Sequence, residues 1–124
     1  MVKNYNDSYY SQLQNWCEDR GFDAPDKEML SDIGFIIPDV CVGFLYLTNS
    51  KVCYLETILS NPNSSDALRD SSIDLIVEAL IQKATILNYK LILSVTKLDC
   101  IVKRALEHGF TTSSKQTLLI KVIE

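Results

Sequence analysis

Glu56 stands in the middle of an apolar stretch, Val52 to Leu59, in phase with Tyr54 and Ile58. Burial raises a carboxyl pKa, and a carboxylate so tuned can take the proton of an ammonium substrate. The competing reading is a carboxylate on a solvated rim. After the stretch comes a polar loop, Ser60 to Ser71, and then an amphipathic segment, Ser72 to Leu87. Strand, polar loop and helix N-terminus together let backbone amides hold a phosphate, because the helix end carries partial positive charge. Arg69 offers a guanidinium fork to such a phosphate, or pairs with Asp66 or Asp70. Ser71 and Ser72 cap the helix in either case, and capping draws on the same amides.

The remaining reactive residue types point elsewhere. His108 is the single histidine and falls at a helix C-terminus, which reads as a surface or capping position before a catalytic one. Cys17, Cys41, Cys53 and Cys100 are scattered without a C-x-x-C pair, and with one histidine they make no zinc site. They read as buried thiols in a reducing cytosol. Cys100 has no histidine partner nearby in sequence to activate it. Tyr9, Tyr10 and Trp16 could line an acceptor pocket, although a helical stripe of this kind usually belongs to the core.

The elements that must position these residues follow from periodicity. The 124 residues suit one domain, 1–124, with about two-thirds of the unfolded surface open to burial. Net charge is −4, and the lysines and arginines are dispersed, which disfavours nucleic acid as a partner. The start MVKNYNDSYY has no apolar signal region, and no apolar run reaches membrane-spanning length, so a soluble cytoplasmic chain is expected. A short strand fits Val2 to Tyr5. Asp7 or Ser8 suits a helix cap, with Tyr9, Leu13, Trp16 and Cys17 on one stripe and Gly21 as the stop. Ala24-Pro25-Asp26 opens a short helical turn through Met29 and Leu30.

Ile33 to Ile37, Val40 to Thr48 and Lys51 to Leu59 then read as an antiparallel meander with turns at Pro38-Asp39 and Asn49-Ser50. Gly43, inside a strand, predicts a bulge or a close neighbour. Ile73, Ile76, Val77, Leu80, Ala84 and Leu87 form one helical stripe with Asn88 as the stop. Leu91 to Val95 reads as a buried strand, parallel to Lys51–Leu59 through a right-handed crossover over 51–95. Asp99 caps a last helix with Ile101, Val102, Ala105 and Leu106 inward and His108-Gly109 at its end. Phe110 to Ser114 and Gln116 to Ile123 close the chain as a hairpin. The class is α/β (α+β), a mainly antiparallel sheet flanked by helices.

From Ile33 onward this order resembles the GNAT acyltransferase fold. VGFLYLTNSKVCYLETILSNP resembles that family's second hairpin and cofactor-leading strand. LRDSSIDLIVEALIQKA resembles its R/Q-x-x-G-x-G/A loop and helix, and ALEHGF its helix ending before the last two strands. With YSQLQNWCEDRGF included, the pattern resembles small bacteriophage acetyltransferases. The resemblance implies acetyl-coenzyme A between two parting parallel strands. It places pantetheine contacts at Ile58, Leu59 and Ser60, diphosphate contacts on the amides of Arg69, Asp70, Ser71, Ser72 and Ile73, and a general base at Glu56. The sequence departs from the family at Ser72 and Asp74, which replace the loop glycines, and at Ala105, which replaces a frequent tyrosine acid. A thiolate can leave without an acid, its pKa being near ~8.5. Two readings follow: an N-acetyltransferase acting on an amine-bearing small molecule or protein, and a catalytically degenerate GNAT-fold phage protein that binds and inhibits a host protein. Pairing of exposed strand edges would make a homodimer.

Overall fold

The computed structural model describes residues 1–96, 99–113 and 116–123. Five strands form one sheet in chain order: β1 (Lys3–Asn4), β2 (Ile33–Ile37), β3 (Cys41–Leu47), β4 (Val52–Ser60) and β5 (Leu91–Leu93). The described helices are α1 (Tyr10–Asp19), α2 (Asp66–Ile86) and α3 (Asp99–Glu107), with 3-10 turns at Asp7–Tyr9 and Lys27–Met29. β1 to β4 pair antiparallel, and β4 pairs parallel with β5 across α2. The mixed, mainly antiparallel sheet and the parallel crossover are thus both present.

Side chains alternate across the sheet and bury two clusters. Ile36, Val42 and Phe44 meet Leu13 of α1 and Trp16 on one face. Leu45, Cys53 and Leu55 meet Ile73, Ile76 and Leu80 of α2 on the other. The expected stripes are buried at Leu13, Trp16 and Cys17 of α1 and at Ile73, Ile76, Val77, Leu80 and Ala84 of α2, while Tyr9 and Leu87 lie just outside the helices and are half-buried. Gly21 (φ 85°) ends the first helix and Asn88 (φ 65°) follows the second, each in the left-handed conformation that a helix stop uses.

Gly43 answers to both of its expectations. The β3–β4 register slips there: Val42 faces Leu59 and Phe44 faces Glu56, so Thr57 and Ile58 oppose Gly43 alone. A Cβ on Gly43 would also lie 2.8 Å from Ile76 Cγ2 and 3.1 Å from Leu80 Cδ1. Helix α2 therefore packs against bare backbone at this point.

Several boundaries differ from the sequence reading. Asn6, not Asp7 or Ser8, caps the first turn by accepting the Ser8 amide at 2.9 Å. Helix α2 starts at Asp66 rather than Ser72, because Ser65 caps it by accepting the Leu68 amide at 3.2 Å. The polar run Arg69–Ser71 is helix and not a loop, with Asp70 and Ser71 on its exposed face. Strand β5 stops at Leu93, and Leu91 and Leu93 are 51% and 39% exposed, so it is an edge and not a buried strand. The closing hairpin is absent from Phe110–Ser113 and Gln116–Ile123, which carry no strand; Ser114 lies outside the described residues. Strand-forming side chains do not hold a strand without a pairing edge. Cys17, Cys41 and Cys53 are buried, but Cys100 is exposed. The capping role expected of Asp99 falls on a side chain outside the described residues. No described helix is long and apolar enough to cross a membrane.

Candidate active site

β4 and β5 pair at Val52–Leu91, Cys53–Ile92 and Tyr54–Leu93, and the ladder ends there. Two residues further on, the Glu56 carboxylate accepts the Val95 amide at 2.7 Å. A side chain thus occupies the place where the next ladder bonds would form, and the strands part around it. The bulge lies beside this opening. Thr57 adopts φ 59°, a left-handed conformation that costs a β-branched residue roughly 1–3 kcal/mol. Its hydroxyl lies 3.1 Å from the Tyr46 hydroxyl across the β3–β4 pair. The bulge also breaks the expected phase. Glu56 shares a row with Phe44, on the α1 face, whereas Ile58 packs with the α2-side core.

Glu56 is half-buried, and burial pushes its carboxyl above the ordinary range near 4.5; the Val95 hydrogen bond opposes this only in part. A carboxylate with a raised pKa, held by one hydrogen bond at a strand opening, is equipped to accept a proton.

The N-terminus of α2 forms the second part of the site. The first-turn amides of a helix have no intrahelical partner. Ser65 Oγ takes that of Leu68, which leaves those of Asp66 and Ala67 at the helix mouth. Arg69 spans the β4–α2 connection: its guanidinium donates to the Pro62 carbonyl at 3.0 Å and pairs with Asp66. Arg20, just past α1, donates to the Ser60 carbonyl at 3.2 Å and to the Ser60 hydroxyl at 2.9 Å. Two arginines therefore flank the end of β4.

No protein-family model and no curated protein matches the chain. Solved structures do. An acetyltransferase from Trypanosoma brucei matches with a TM-score of 0.70 at 11% identity, over 98% of this chain and 99% of that one. AAC(6')-Iy, in complex with the bisubstrate analogue CoA-S-monomethyl-acetylneamine, matches with a TM-score of 0.67 at 15% identity, over 99% and 98%. A GNAT-family acetyltransferase from Streptococcus pneumoniae matches with a TM-score of 0.64 at 14% identity, over 99% and 97%. The fold is that of the GNAT acetyltransferases. At these identities the likeness is one of architecture.

Set on the GNAT fold, the expected site residues separate into two groups. Glu56 and the β4 residues after it stand at the strand opening. Ile58 faces a small apolar cavity of about 30 Å³ with Leu55, Val77 and Phe110. Leu59 packs toward the α1-side core, and Ser60 is held by Arg20. The second group lies in a helix and not in the expected loop. Arg69, Asp70, Ser71, Ser72 and Ile73 lie inside α2. The Arg69 amide donates to the Ser65 carbonyl at 3.0 Å, Ser72 is buried, and the later amides belong to the helix ladder. The first-turn amides that the helix ladder does not use are those at Asp66 and Ala67, one turn earlier. Sequence signals for this existed in Ser65 followed by Asp66, a cap and a first-turn acid. Nothing in the spacing signalled Arg20, which lies 40 residues from Ser60.

Asp74, expected near the anion loop, points away from it. Its carboxylate accepts Arg104 Nη1 at 2.7 Å and His108 Nε2 at 3.0 Å, while Asp70 accepts Arg104 Nη2 at 2.8 Å and Glu78 meets His108 Nδ1 at 2.6 Å. Asp70, Asp74 and Glu78 on α2 thus face Arg104 on α3 and His108 just beyond it. His108, its side chain 10% exposed, is a member of this ionic seam and not a solvated terminal residue.

Proposed function

We propose that this chain is an N-acetyltransferase that moves an acetyl group from acetyl-coenzyme A to an amine. The observation that carries the reading is the Glu56 carboxylate at the parting of β4 and β5, with the Val95 amide as its hydrogen-bond donor. Acetyl-coenzyme A, when bound, supplies a thioester whose acyl carbon is open to attack by an amine. The chain's own residues supply the rest. Glu56, desolvated enough for its pKa to rise, takes the proton that an ammonium must lose before it can attack. The Val95 amide fixes the carboxylate at the opening. The β4 backbone beyond Glu56, released from the ladder, offers an extended edge for a pantetheine arm. The Asp66 and Ala67 amides offer donors to a diphosphate, aided by the α2 dipole and the nearby Arg20 and Arg69.

Calorimetric titration of the folded chain with acetyl-coenzyme A tests the reading. Binding in the micromolar range is expected, and no heat at millimolar ligand would exclude it.

A second reading has one observation in its favour. The Asp66 carboxylate sits at the very turn where a diphosphate would bind, and Arg69 is already engaged with it. A GNAT-fold protein without cofactor, docking on another protein, is compatible with that charge. Retrieval of one stoichiometric partner, undisturbed by acetyl-coenzyme A, would support this alternative.

A further inference from the structure

Among the described residues, three besides glycine adopt positive φ: Asp39, Thr57 and Asn88. Asp39 sits in the β2–β3 turn and Asn88 follows α2, and Asp and Asn tolerate the left-handed conformation. Thr57 is β-branched and does not. Glycine would hold the same backbone without that cost. What threonine adds is a side chain, and its one polar atom is engaged: Oγ1 lies 3.1 Å from Tyr46 Oη.

The β3–β4 register shows where this pair stands. Phe44 faces Glu56 and Tyr46 faces Tyr54, so Tyr46, Tyr54 and Glu56 project from one face of the sheet. It is the α1 face, because Tyr46 packs against the α1-side core. Tyr46 and Glu56 are diagonal neighbours on that face. The Tyr46 hydroxyl meets Thr57, the residue after Glu56, which brings the Thr57 hydroxyl to the same face. Two hydroxyls and the Glu56 carboxylate are therefore grouped where β4 and β5 part. Tyr46, Glu56 and Thr57 are half-buried, and Tyr54 beside them is 38% exposed, so solvent reaches this part of the face.

The grouping has a chemical use. A primary ammonium has three N–H donors. The carboxylate attracts it and takes one proton, after which the nitrogen is neutral and charge no longer holds it. Hydroxyl oxygens do not depend on that charge. Each has two lone pairs, and the single bond between Thr57 and Tyr46 uses only one of the four.

We propose that Thr57 and Tyr46 bind the acceptor: their paired hydroxyls, beside Glu56, accept the two N–H groups that a primary amine keeps once its proton has gone to the carboxylate. The fate of the amine rests on the acetyl-transfer reading above; its binding does not.

The first test is a titration of the ¹⁵N-labelled chain with butylamine, without acetyl-coenzyme A. The Glu56 and Thr57 amide resonances should move at millimolar amine, and Tyr46→Phe or Thr57→Gly should weaken that binding about fivefold or more. The second is turnover. Both variants should raise KM for butylamine about tenfold, the worth of one hydrogen bond, while acetyl-coenzyme A affinity changes less than about twofold. Parental KM for N-methylbutylamine, which keeps one N–H fewer, should exceed that for butylamine, and the gap should narrow in the variants. Thr57→Gly should hold or raise Tm, because glycine suits φ 59°. Thr57→Ser, which keeps the hydroxyl, should stay near the parent in KM. A Ser variant as impaired as Gly, parental KM in Gly and Phe alike, or unmoved amides would overturn the assignment. If acetyl-coenzyme A binds and butylamine moves neither amide, the assignment fails alone. If butylamine moves them and acetyl-coenzyme A does not bind, acetyl transfer fails and the amine site stands.

Discussion

The Glu56 carboxylate and the Val95 amide meet at 2.7 Å at the point where β4 and β5 cease to pair. One hydrogen bond thereby does two jobs. It replaces a ladder bond, so that the strands can part without an orphaned amide, and it orients the one carboxylate at the opening.

Exchange of Glu56 for Gln separates these jobs. Gln can still accept the Val95 amide, so the opening should persist. The carboxyl pKa is raised on folding, so the folded chain binds this proton more tightly than the unfolded chain. Ionised Glu56 therefore subtracts stability progressively as pH rises from about 4.5 through the raised value. Tm of Glu56→Gln at pH 7 should equal or exceed that of the parent. Acetyl transfer from acetyl-coenzyme A to an amine acceptor, read as free thiol, should fall about 10²–10⁴-fold. The parent's rate should climb with pH through a group titrating above the ordinary carboxyl range, and the variant should lack that limb. A variant with parental turnover would remove Glu56 from the mechanism.

The start of α2 is testable by cap deletion. Ser65 Oγ holds the Leu68 amide at 3.2 Å, whereas Ser71 Oγ donates to the Leu68 carbonyl from within the helix. Ser65→Ala should cost about 1 kcal/mol. Ser71→Ala, at an exposed interior position, should cost less than ~0.5 kcal/mol. Urea denaturation of both variants decides between a helix beginning at Asp66 and one beginning at Ser72. A larger loss at Ser71 would restore the later start.

These two sites show what local pattern conveys. The meander was legible because Cys41–Leu47 and Val52–Ser60 are flanked by turn residues and rich in strand formers. The α2 stripe from Ile73 to Ala84 was legible from its spacing. The first two turns of α2 were not, because Asp70 and Ser71 face outward, Arg69 folds back onto the β4–α2 connection, and a polar helix turn has a loop's composition. Glu56 itself stood out as a carboxylate in an apolar strand. Its partner did not, since Val95 lies 39 residues away and contributes only backbone. Gly43 marked a bulge, but not that the extra residue would fall at Thr57 on the opposite strand and turn Ile58 to the other face. The closing hairpin failed for a related reason: Leu118–Ile120 has strand-forming side chains, but pairing is a property of the edge that receives them.

Gly43 tests the packing that sets the bulge. A methyl group there would come within 2.8 Å of Ile76 Cγ2, and that methyl is fixed on the branched Cβ of a helical residue. The strand cannot yield cheaply, since Val42 and Phe44 on either side of Gly43 are buried in the α1-side core. Gly43→Ala should destabilise by about 1–3 kcal/mol in chemical denaturation. Gly109→Ala makes a useful contrast: its Cβ would meet nothing within 4 Å, and its cost arises from φ 89° alone. Ile76→Ala removes Cγ2, so Gly43→Ala/Ile76→Ala should lose less stability than the sum of the two single changes. A fully additive loss would mean that the strand backbone, and not the helix contact, requires glycine.

The seam between α2 and α3 should respond to pH through His108. Desolvation opposes its charge, but Asp74 and Glu78 hydrogen-bond to the ring and raise its pKa above 6.5 overall. A basic group raised on folding contributes stability in full below its unfolded pKa, and loses it as pH rises through the folded one. Asp74 has the opposite sign: His108 and Arg104 hold its carboxyl below 3.8 against the desolvation that opposes them, so its contribution is present above that value and is lost as pH falls through the depressed one. Between these limits the seam is fully charged. Both His108 carboxylate partners are substantially exposed, which keeps the gain to about 1 kcal/mol or less and the change in Tm to a few degrees. Raising pH from 6 to 9 should therefore lower Tm slightly and lower hydrogen-exchange protection, taken relative to the intrinsic rate at each pH, in α3 before the rest of the chain. His108→Gln should abolish that dependence while Arg104 still joins Asp70 to Asp74. If the variant keeps the parental pH profile, the seam does not titrate through His108.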